Sequence, residues 1–175
     1  MLDYVPLTAH NFAYFEQDVM ASEAIFPPEI RESAAGYLDA LRQDRALGIV
    51  ARLGRQYAGN AVGFRPDAEQ VTLLRLDEIG NPVADLIYLF NIVMMPGFQG
   101  KGLGKALLHT FLDRAQQAGF RKVGGHFRCN GSLKNFKTLG GEELGAFDNW
   151  FDTGERYIYC ELDMERLPVA RAVSF

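Results

Sequence analysis

The chain has 175 residues, 48% of them hydrophobic and 23% charged, with a formal net charge of −4. That length suffices for one domain with a real core and is too short for two ordinary ones, so residues 1–175 are read as a single domain. The negative balance leaves no basic footprint for nucleic acid, and the apolar run Leu86–Met95 is sized for a strand and not for a membrane span.

In chain order, Met1-Leu2-Asp3-Tyr4 has none of the charged and apolar regions of a signal peptide, which sets a cytoplasmic expectation. Leu2–Leu7 reads as a short first strand. Thr8 is placed to cap a helix to about Met20, with Phe12, Phe15 and Val19 on its inner face. Ile25-Phe26-Pro27-Pro28 reads as a loop, with Pro28 opening a second helix striped by Ile30, Ala34, Leu38 and Leu41. Leu47–Leu53 and Gln56–Arg65 form a strand pair around Gly54-Arg55. Val71–Leu76 reads as a further short strand, and Ile79-Gly80-Asn81-Pro82 as a turn.

Asp85–Met95 is a buried strand stopped by Pro96-Gly97. From Leu103, the residues Leu107, Leu108, Phe111, Leu112 and Ala115 make one apolar helix face, closed by Gly119 as a C′ glycine. Arg121–Arg128 is a strand interrupted by Gly124-Gly125, a pair that marks a bulge or a close approach. Asn130 or Ser132 caps a short helix ending at Gly140, and Glu142–Phe147 and Glu155–Met164 are the last strands. The order makes a mixed α/β sheet domain. Cys129 and Cys160 lack C-x-x-C spacing, so reduced thiols are the default. His10, His109 and His126 are scattered, and no metal is expected.

Between the long strand and its helix lies Pro96-Gly97-Phe98-Gln99-Gly100-Lys101-Gly102-Leu103-Gly104-Lys105. Glycines at a helix N-terminus let the backbone approach an anion that unpaired N–H groups and the helix dipole attract. A Walker A loop would need glycine at Gln99 and Ser or Thr at Ala106. A dinucleotide fingerprint would need glycine at Lys105 or Leu107. Both fail. A phosphate cradle of another kind remains, against the plain alternative of a tight turn that binds nothing.

Gln99-x-x-Gly102-x-Gly104 after Ile92-x-Met94-x-Pro96 resembles the pyrophosphate-binding motif of the GNAT acyltransferase superfamily. Asn130, Ser132, Leu139, Gly140 and Gly141 are in register with a second element of that family. The resemblance implies a central mixed sheet with two splayed strands flanked by helices, and acetyl-CoA as cosubstrate with no metal. It implies that the backbones of Ile92, Val93 and Met94 bind pantetheine and the thioester, and that Gln99, Gly100, Lys101, Gly102, Leu103 and Gly104 wrap the pyrophosphate. Asn130 and Ser132 belong to the pantetheine side, and Phe136 is a packing residue at the pantetheine wall. Lys101 and Lys105 either approach phosphates or serve solubility.

The implied reaction is transfer of an acetyl group from the thioester to an amine, with a strand N–H freed by the splay holding the oxyanion. The family's usual base and acid positions hold Tyr88 and Phe136, so neither group is present. Tyr88 has the strand parity of Ile92 and Met94 and either faces the cleft, holding a water, or is packed. His126 is a base by its ordinary pKa or a histidine at a partly exposed strand end. Cys129, Tyr157 and Tyr159 are further acid or wall candidates. Glu23, Phe26, Glu29, Glu32, Asp148, Trp150, Phe151 and Asp152 suit a cationic amine or basic peptide end, or are solvated acidic loops. The leading reading is an N-acetyltransferase acting on an amine acceptor, with no nucleic-acid or membrane partner and a homodimer left open. The alternative is a non-catalytic CoA-binding sensor, and a nucleotide-phosphate binder follows if the loop resemblance misleads.

Overall fold

The computed structural model describes residues 2–167, so the outer ends of the expected 1–175 domain, Met1 and 168–175, lie outside the described residues. Seven strands form one sheet in the order β1-β2-β3-β4-β5-β7-β6. They are β1 (Leu2–Pro6), β2 (Leu47–Leu53), β3 (Gln56–Phe64), β4 (Leu86–Met94), β5 (Lys122–Arg128), β6 (Glu142–Phe147) and β7 (Tyr157–Asp163). Every neighbouring pair is antiparallel except β4 with β5. The parallel pair needs a crossover, and α4 (Leu103–Gln117) supplies it. Gly119, at φ +84°, ends that helix as the sequence predicts.

Helices cover both faces. Leu107, Phe111 and Leu112 of α4 and Phe136 of α5 (Gly131–Thr138) pack with Ile87, Leu89, Val123 and Phe127. On the other face Phe12 and Val19 of α1 (Phe12–Ser22) and Tyr37 and Leu41 of α2 (Ala34–Arg42) pack with Val50, Val62, Phe64 and Tyr88. Each such side chain contributes about 1.5–3 kcal/mol by leaving water. Among the described residues no helix is long and apolar enough to cross a membrane.

Three local expectations are corrected, and a fourth is decided between its two alternatives. Residues Val71–Leu76 are not a strand: the end of α3 (Ala68–Leu73), a turn and the start of a 3₁₀ turn at Leu76 occupy them, and α3 is started by a capping box in which Asp67 Oδ1 accepts from Gln70 N–H and Gln70 Oε1 from Asp67 N–H, both at 2.9 Å. Thr8 caps no helix, because Asn11 Oδ1 accepts its N–H at 2.8 Å and α1 begins only at Phe12. Pro28 opens a single 3₁₀ turn, and α2 waits for Ser33, whose Oγ accepts from Gly36 N–H at 3.0 Å. Gly124-Gly125 does not interrupt β5. A Cβ on Gly124 would stand 2.5 Å from the Tyr159 hydroxyl, so the pair marks a close approach.

The irregularity that matters lies in β4. Val62 pairs with Asn91 but Gly63 pairs with Leu89, leaving Phe90 as an extra residue. Such a bulge inverts the alternation of side chains beyond it. Before it, Ile87 and Leu89 face α4; after it, Ile92 and Met94 do. Tyr88 therefore does not share the parity of Ile92 and Met94, as the even spacing suggests. It shares the opposite face with Asn91, toward α1 and α2.

Asn91 is anchored there by a buried polar chain. Its Nδ2 donates to Glu23 Oε1 at 3.2 Å, and its Oδ1 accepts from Asn60 Nδ2 at 2.7 Å. Glu23 also accepts from the Tyr37 hydroxyl at 2.5 Å and from Glu32 N–H at 2.8 Å. Asn60 Oδ1 accepts from Tyr57 and Ser22. Burial holds the Glu23 carboxyl above its usual range, and the Tyr37 hydrogen bond opposes that shift. Each member has a partner, which makes such a network rigid and its partial loss expensive. Asn60→Ala, which removes a donor to Asn91 and an acceptor for Tyr57, should lower the unfolding free energy by roughly 2–3 kcal/mol in denaturant titration. An unchanged midpoint would show that water replaces the amide.

Candidate functional site

β4 ends in a 3₁₀ turn, Pro96–Phe98, and the glycine loop follows. Gln99 Nε2 donates to Met94 O at 2.8 Å and Lys101 Nζ to Gly97 O at 3.0 Å, so both side chains brace the loop itself. Gly100 and Gly102 hold φ +72° and +75°, the left-handed region open to glycine, and no atom lies within 4 Å of a Cβ built on either. Ala106 N–H donates to Gly102 O at 3.1 Å, which leaves the N–H groups of Leu103, Gly104 and Lys105 without an intrahelical acceptor. These donors, the helix dipole and the open space beside the glycines are of the kind that suits an anion.

Beside the loop the sheet opens. β4 and β5 are in register only from Leu86↔Lys122 to Tyr88↔Gly124, while β5 stays paired with β7 as far as Arg128↔Tyr157. Met95 N–H donates to Ala58 O at 2.9 Å, which makes Gly59↔Met94 a non-hydrogen-bonded pair. By strand alternation the N–H and C=O of Ile92 and Met94 then point away from β3, into the opening. Val93, expected alongside them, turns its backbone to Asn60 of β3 instead. The groups on offer are those of Ile92 and Met94, with Met94 O already engaged by Gln99.

A cavity of about 360 Å³ fills the opening, and Tyr88, Asn91, Ile92, His126, Asn130 and Tyr157 are among its lining. Tyr88 and His126, the two proposed catalytic residues, meet directly: Tyr88 Oη and His126 Nδ1 share a hydrogen bond of 3.0 Å. The His126 ring stacks on Trp150 at 4.0 Å and 18° and touches Phe147 and Tyr159. Burial in this aromatic box, helped by the Arg75 charge, pushes the imidazole down to about 3, while burial drives the Tyr88 phenol up. Both are neutral at ordinary pH. Among the described residues no group partners the buried His126 Nε2 or the buried Tyr157 hydroxyl, and burial pushes Tyr157 up to about 12.

The remaining candidates separate. Asn130 Oδ1 caps α5 by accepting from Ser132 N–H at 3.0 Å, and both residues line the cavity. Phe136 is wholly buried against Phe127, at 4.7 Å between ring centroids, so it supports the wall from behind. Lys105 is exposed at the helix start. Tyr159 donates to Glu161 at 2.9 Å and belongs to the core. Of the acceptor-side residues, Phe26, Glu29, Glu32, Trp150 and Phe151 line the cavity. Glu23 is buried behind Asn91, Asp148 pairs with Arg156, and Asp152 accepts from Asn149. Asn91 is the residue that the sequence reading missed, for its orientation depends on the bulge.

A sequence model of the acetyltransferase (GNAT) family matches residues 9–135. No curated protein matches the sequence. Among solved structures, the ribosomal-protein-S18-alanine N-acetyltransferase from Escherichia coli superposes with a TM-score of 0.69 at 19% identity, covering 100% of both chains. The IAA acetyltransferase from Bacillus cereus gives 0.67 at 15% identity, covering 93% of this chain and 99% of its own. The yncA protein from Salmonella typhimurium, solved with its cofactor acetyl-CoA, gives 0.69 at 13% identity, covering 98% and 99%. At these identities the likeness is one of fold.

The burial of His126 has a thermodynamic signature. Between its ordinary value of 6.5 and about 3, the unfolded chain binds a proton that the folded chain refuses. This contribution to stability is full above the ordinary histidine value and falls as pH drops toward the depressed one, at up to about 1.4 kcal/mol per pH unit. The difference in unfolding free energy between the parent and His126→Gln should carry that slope across a denaturant series at descending pH. A flat difference would mean that the imidazole is hydrated.

Proposed function

The chain belongs to the acetyltransferase (GNAT) family, and from that premise we propose that it is an acetyl-CoA-dependent N-acetyltransferase. It moves the acetyl group from the CoA thioester to an amine of a small molecule or peptide by direct attack, within one acyltransferase domain over residues 1–175. The parting of β4 and β5 beside the glycine loop is the observation that carries the reading.

The residues present fit the cosubstrate. The unpaired N–H groups from Leu103 to Lys105 and the open flank of Gly100 and Gly102 suit a pyrophosphate, with Lys101 and Lys105 as nearby cations. The edge of β4 at Ile92 and Met94 suits the amide-bearing pantetheine arm, with Asn130 and Ser132 on the facing side. When bound, the thioester supplies an activated acetyl group and a thiolate that departs readily, a thiol having a pKa of about 8.5. Phe136 has no proton to give, which accords with unassisted departure.

His126 and Tyr88 handle the amine. With Nδ1–H donated to Tyr88 Oη, the Nε2 lone pair is unprotonated at any pH above about 3, and an amine reaches this buried atom once the wall around it opens. An imidazole so weakly basic does not strip an ammonium ion, so the amine arrives neutral and His126 takes its proton as the new bond forms. Ile92 N–H, turned into the opening, suits charge developing on the carbonyl oxygen. The weak basicity of His126 and the apolar Phe136 also favour a second reading, a CoA-binding sensor that retains the cradle without turnover. The free thiols of Cys129 and Cys160 suit the cytoplasmic location proposed with either reading.

Three results test this reading. Gly102→Asp should abolish acetyl-CoA binding in calorimetry with the fold intact by circular dichroism, since it sets a carboxylate and a Cβ against the anion. A folded variant that binds like the parent would remove the cradle. The rate of CoA release with an amine panel should rise with pH along the amine's own titration, with no inflection at the ordinary histidine value. His126→Gln should cut that rate by about 10²–10⁴-fold. Tight acetyl-CoA binding with no release across the panel would instead establish the sensor.

A further inference from the structure

On the α1–α2 side of the sheet, buried polar groups converge on one carboxylate. Glu23 is 5% exposed and receives three donors. Asn91 Nδ2 and the Tyr37 hydroxyl reach its Oε1 at 3.2 and 2.5 Å, and Glu32 N–H reaches its Oε2 at 2.8 Å. One donor comes from β4, one from α2 and one from the segment between the first two helices. Three donors suit an ionised carboxylate, and bonds to a charge are roughly twice as strong as neutral ones. Asn91 lines the cavity and Glu23 lies behind it, so this carboxylate has no direct part in the chemistry read above.

What Asn91 holds is the peptide next to the bulge. By the alternation set at Gly59↔Met94, Asn91 C=O faces Val62 of β3, and the N–H of the same peptide, that of Ile92, faces the opening. An interior strand keeps each peptide plane between two neighbours. This plane has a neighbour on the β3 edge alone, because the β4–β5 register stops at Tyr88↔Gly124, and the unpaired Phe90 comes just before it. A further restraint on its tilt is the Asn91 side chain, gripped by Glu23 at Nδ2 and by Asn60 at Oδ1. Such restraint matters for a catalytic donor, which must be held to within about 0.5 Å and 10–20° of its productive geometry.

We propose that Glu23 is a positioning residue that, through Asn91, sets the angle of Ile92 N–H toward the thioester carbonyl. This rests on the acetyl-transfer reading, in which that N–H meets the carbonyl oxygen. Glu23 thus acts on the reacting bond without touching it. A misaimed donor loses most where charge develops, so it slows transfer more than it weakens acetyl-CoA binding.

The carbonyl of bound acetyl-CoA reports the donor's aim. A hydrogen bond to a carbonyl oxygen weakens the double bond, and isotope-edited infrared spectroscopy of acetyl-CoA labelled at the carbonyl carbon reads that weakening. Asn91→Leu keeps much of the side-chain shape and offers nothing to grip. It should move the band to higher frequency, bind acetyl-CoA within about threefold of the parent, and transfer acetyl about 10–100-fold more slowly. Glu23→Gln, whose amide has one acceptor oxygen for three donors, should move the band the same way by less. In the Asn91→Leu background it should move the band no further, the mark of an effect carried through Asn91. Tyr37→Phe takes one donor from the same carboxylate oxygen and should give the smallest shift, and it carries the test if Glu23→Gln does not fold.

Slower transfer by Glu23→Gln with the band unmoved would overturn the proposal and leave Glu23 a structural residue. Shifts that add in the double variant would also overturn it, since Glu23 would then act by another route. The expected shifts in a protein that binds acetyl-CoA but acetylates no amine would uphold the aiming of the N–H and overturn the transferase.

Discussion

One extra residue in β4 sets the geometry of everything around it. Phe90 has no counterpart in β3, so the strand rolls over between Leu89 and Asn91 and presents its opposite faces before and after. Upstream of the bulge β4 is an ordinary interior strand paired with β5 through Tyr88. Downstream it keeps β3, loses β5, and shows one edge of its backbone to an opening. The cavity, the exposed groups of Ile92 and Met94 and the approach to the glycine loop all follow from that inversion. Asn91, fixed by Glu23 and Asn60, holds the roll in place.

The two faces of the opening are built with contrasting chemistry. Behind β4 lies a polar chain in which each group is satisfied, from Glu32 N–H through Glu23 and Asn91 to Asn60. On the β5–β7 side, His126 is held in a box of aromatic rings that satisfies only one of its two nitrogens. The first arrangement supplies rigidity; the second keeps a neutral imidazole dry. A charge on the imidazole would have to be desolvated, and Arg75, whose guanidinium lies 4.6 Å from the Phe147 ring, adds repulsion. The aromatic box therefore favours neutral partners at His126.

What the sequence made legible was what is encoded locally. The β2–β3 hairpin, the strand–loop–helix from β4 into α4, Gly119 at its end and Asn130 at the start of α5 are each written within a few residues. The glycine loop was readable because its spacing excludes two other phosphate loops. Local signals misled where two of them competed: the apolar positions of Val71–Leu76 suggest a strand, and the Asp67–Gln70 capping box decides for a helix. The bulge was not readable, since a two-against-one mismatch belongs to a pair of strands and leaves no mark on one of them. The same holds for the burial of Glu23, remote in sequence from Asn91, and for Trp150 resting on His126. Tyr88 and His126 were legible as candidates, but their contact is a product of the three-residue register joining β4 to β5.

That short register has a mechanical meaning. Antiparallel neighbours bind β1 to β4 into one unit and β5 to β7 into another, and the sheet between them is stitched only from Leu86↔Lys122 to Tyr88↔Gly124. With so few ladder bonds, the joint rests largely on side chains of both units packed in shared clusters, Ile87 with Val123 on one face and Tyr88 with Tyr159 on the other. A molecule lodged in the opening touches both units at once. Its binding free energy then enters as cohesion of the whole sheet, so saturation closes a fault line that the backbone alone leaves half sewn.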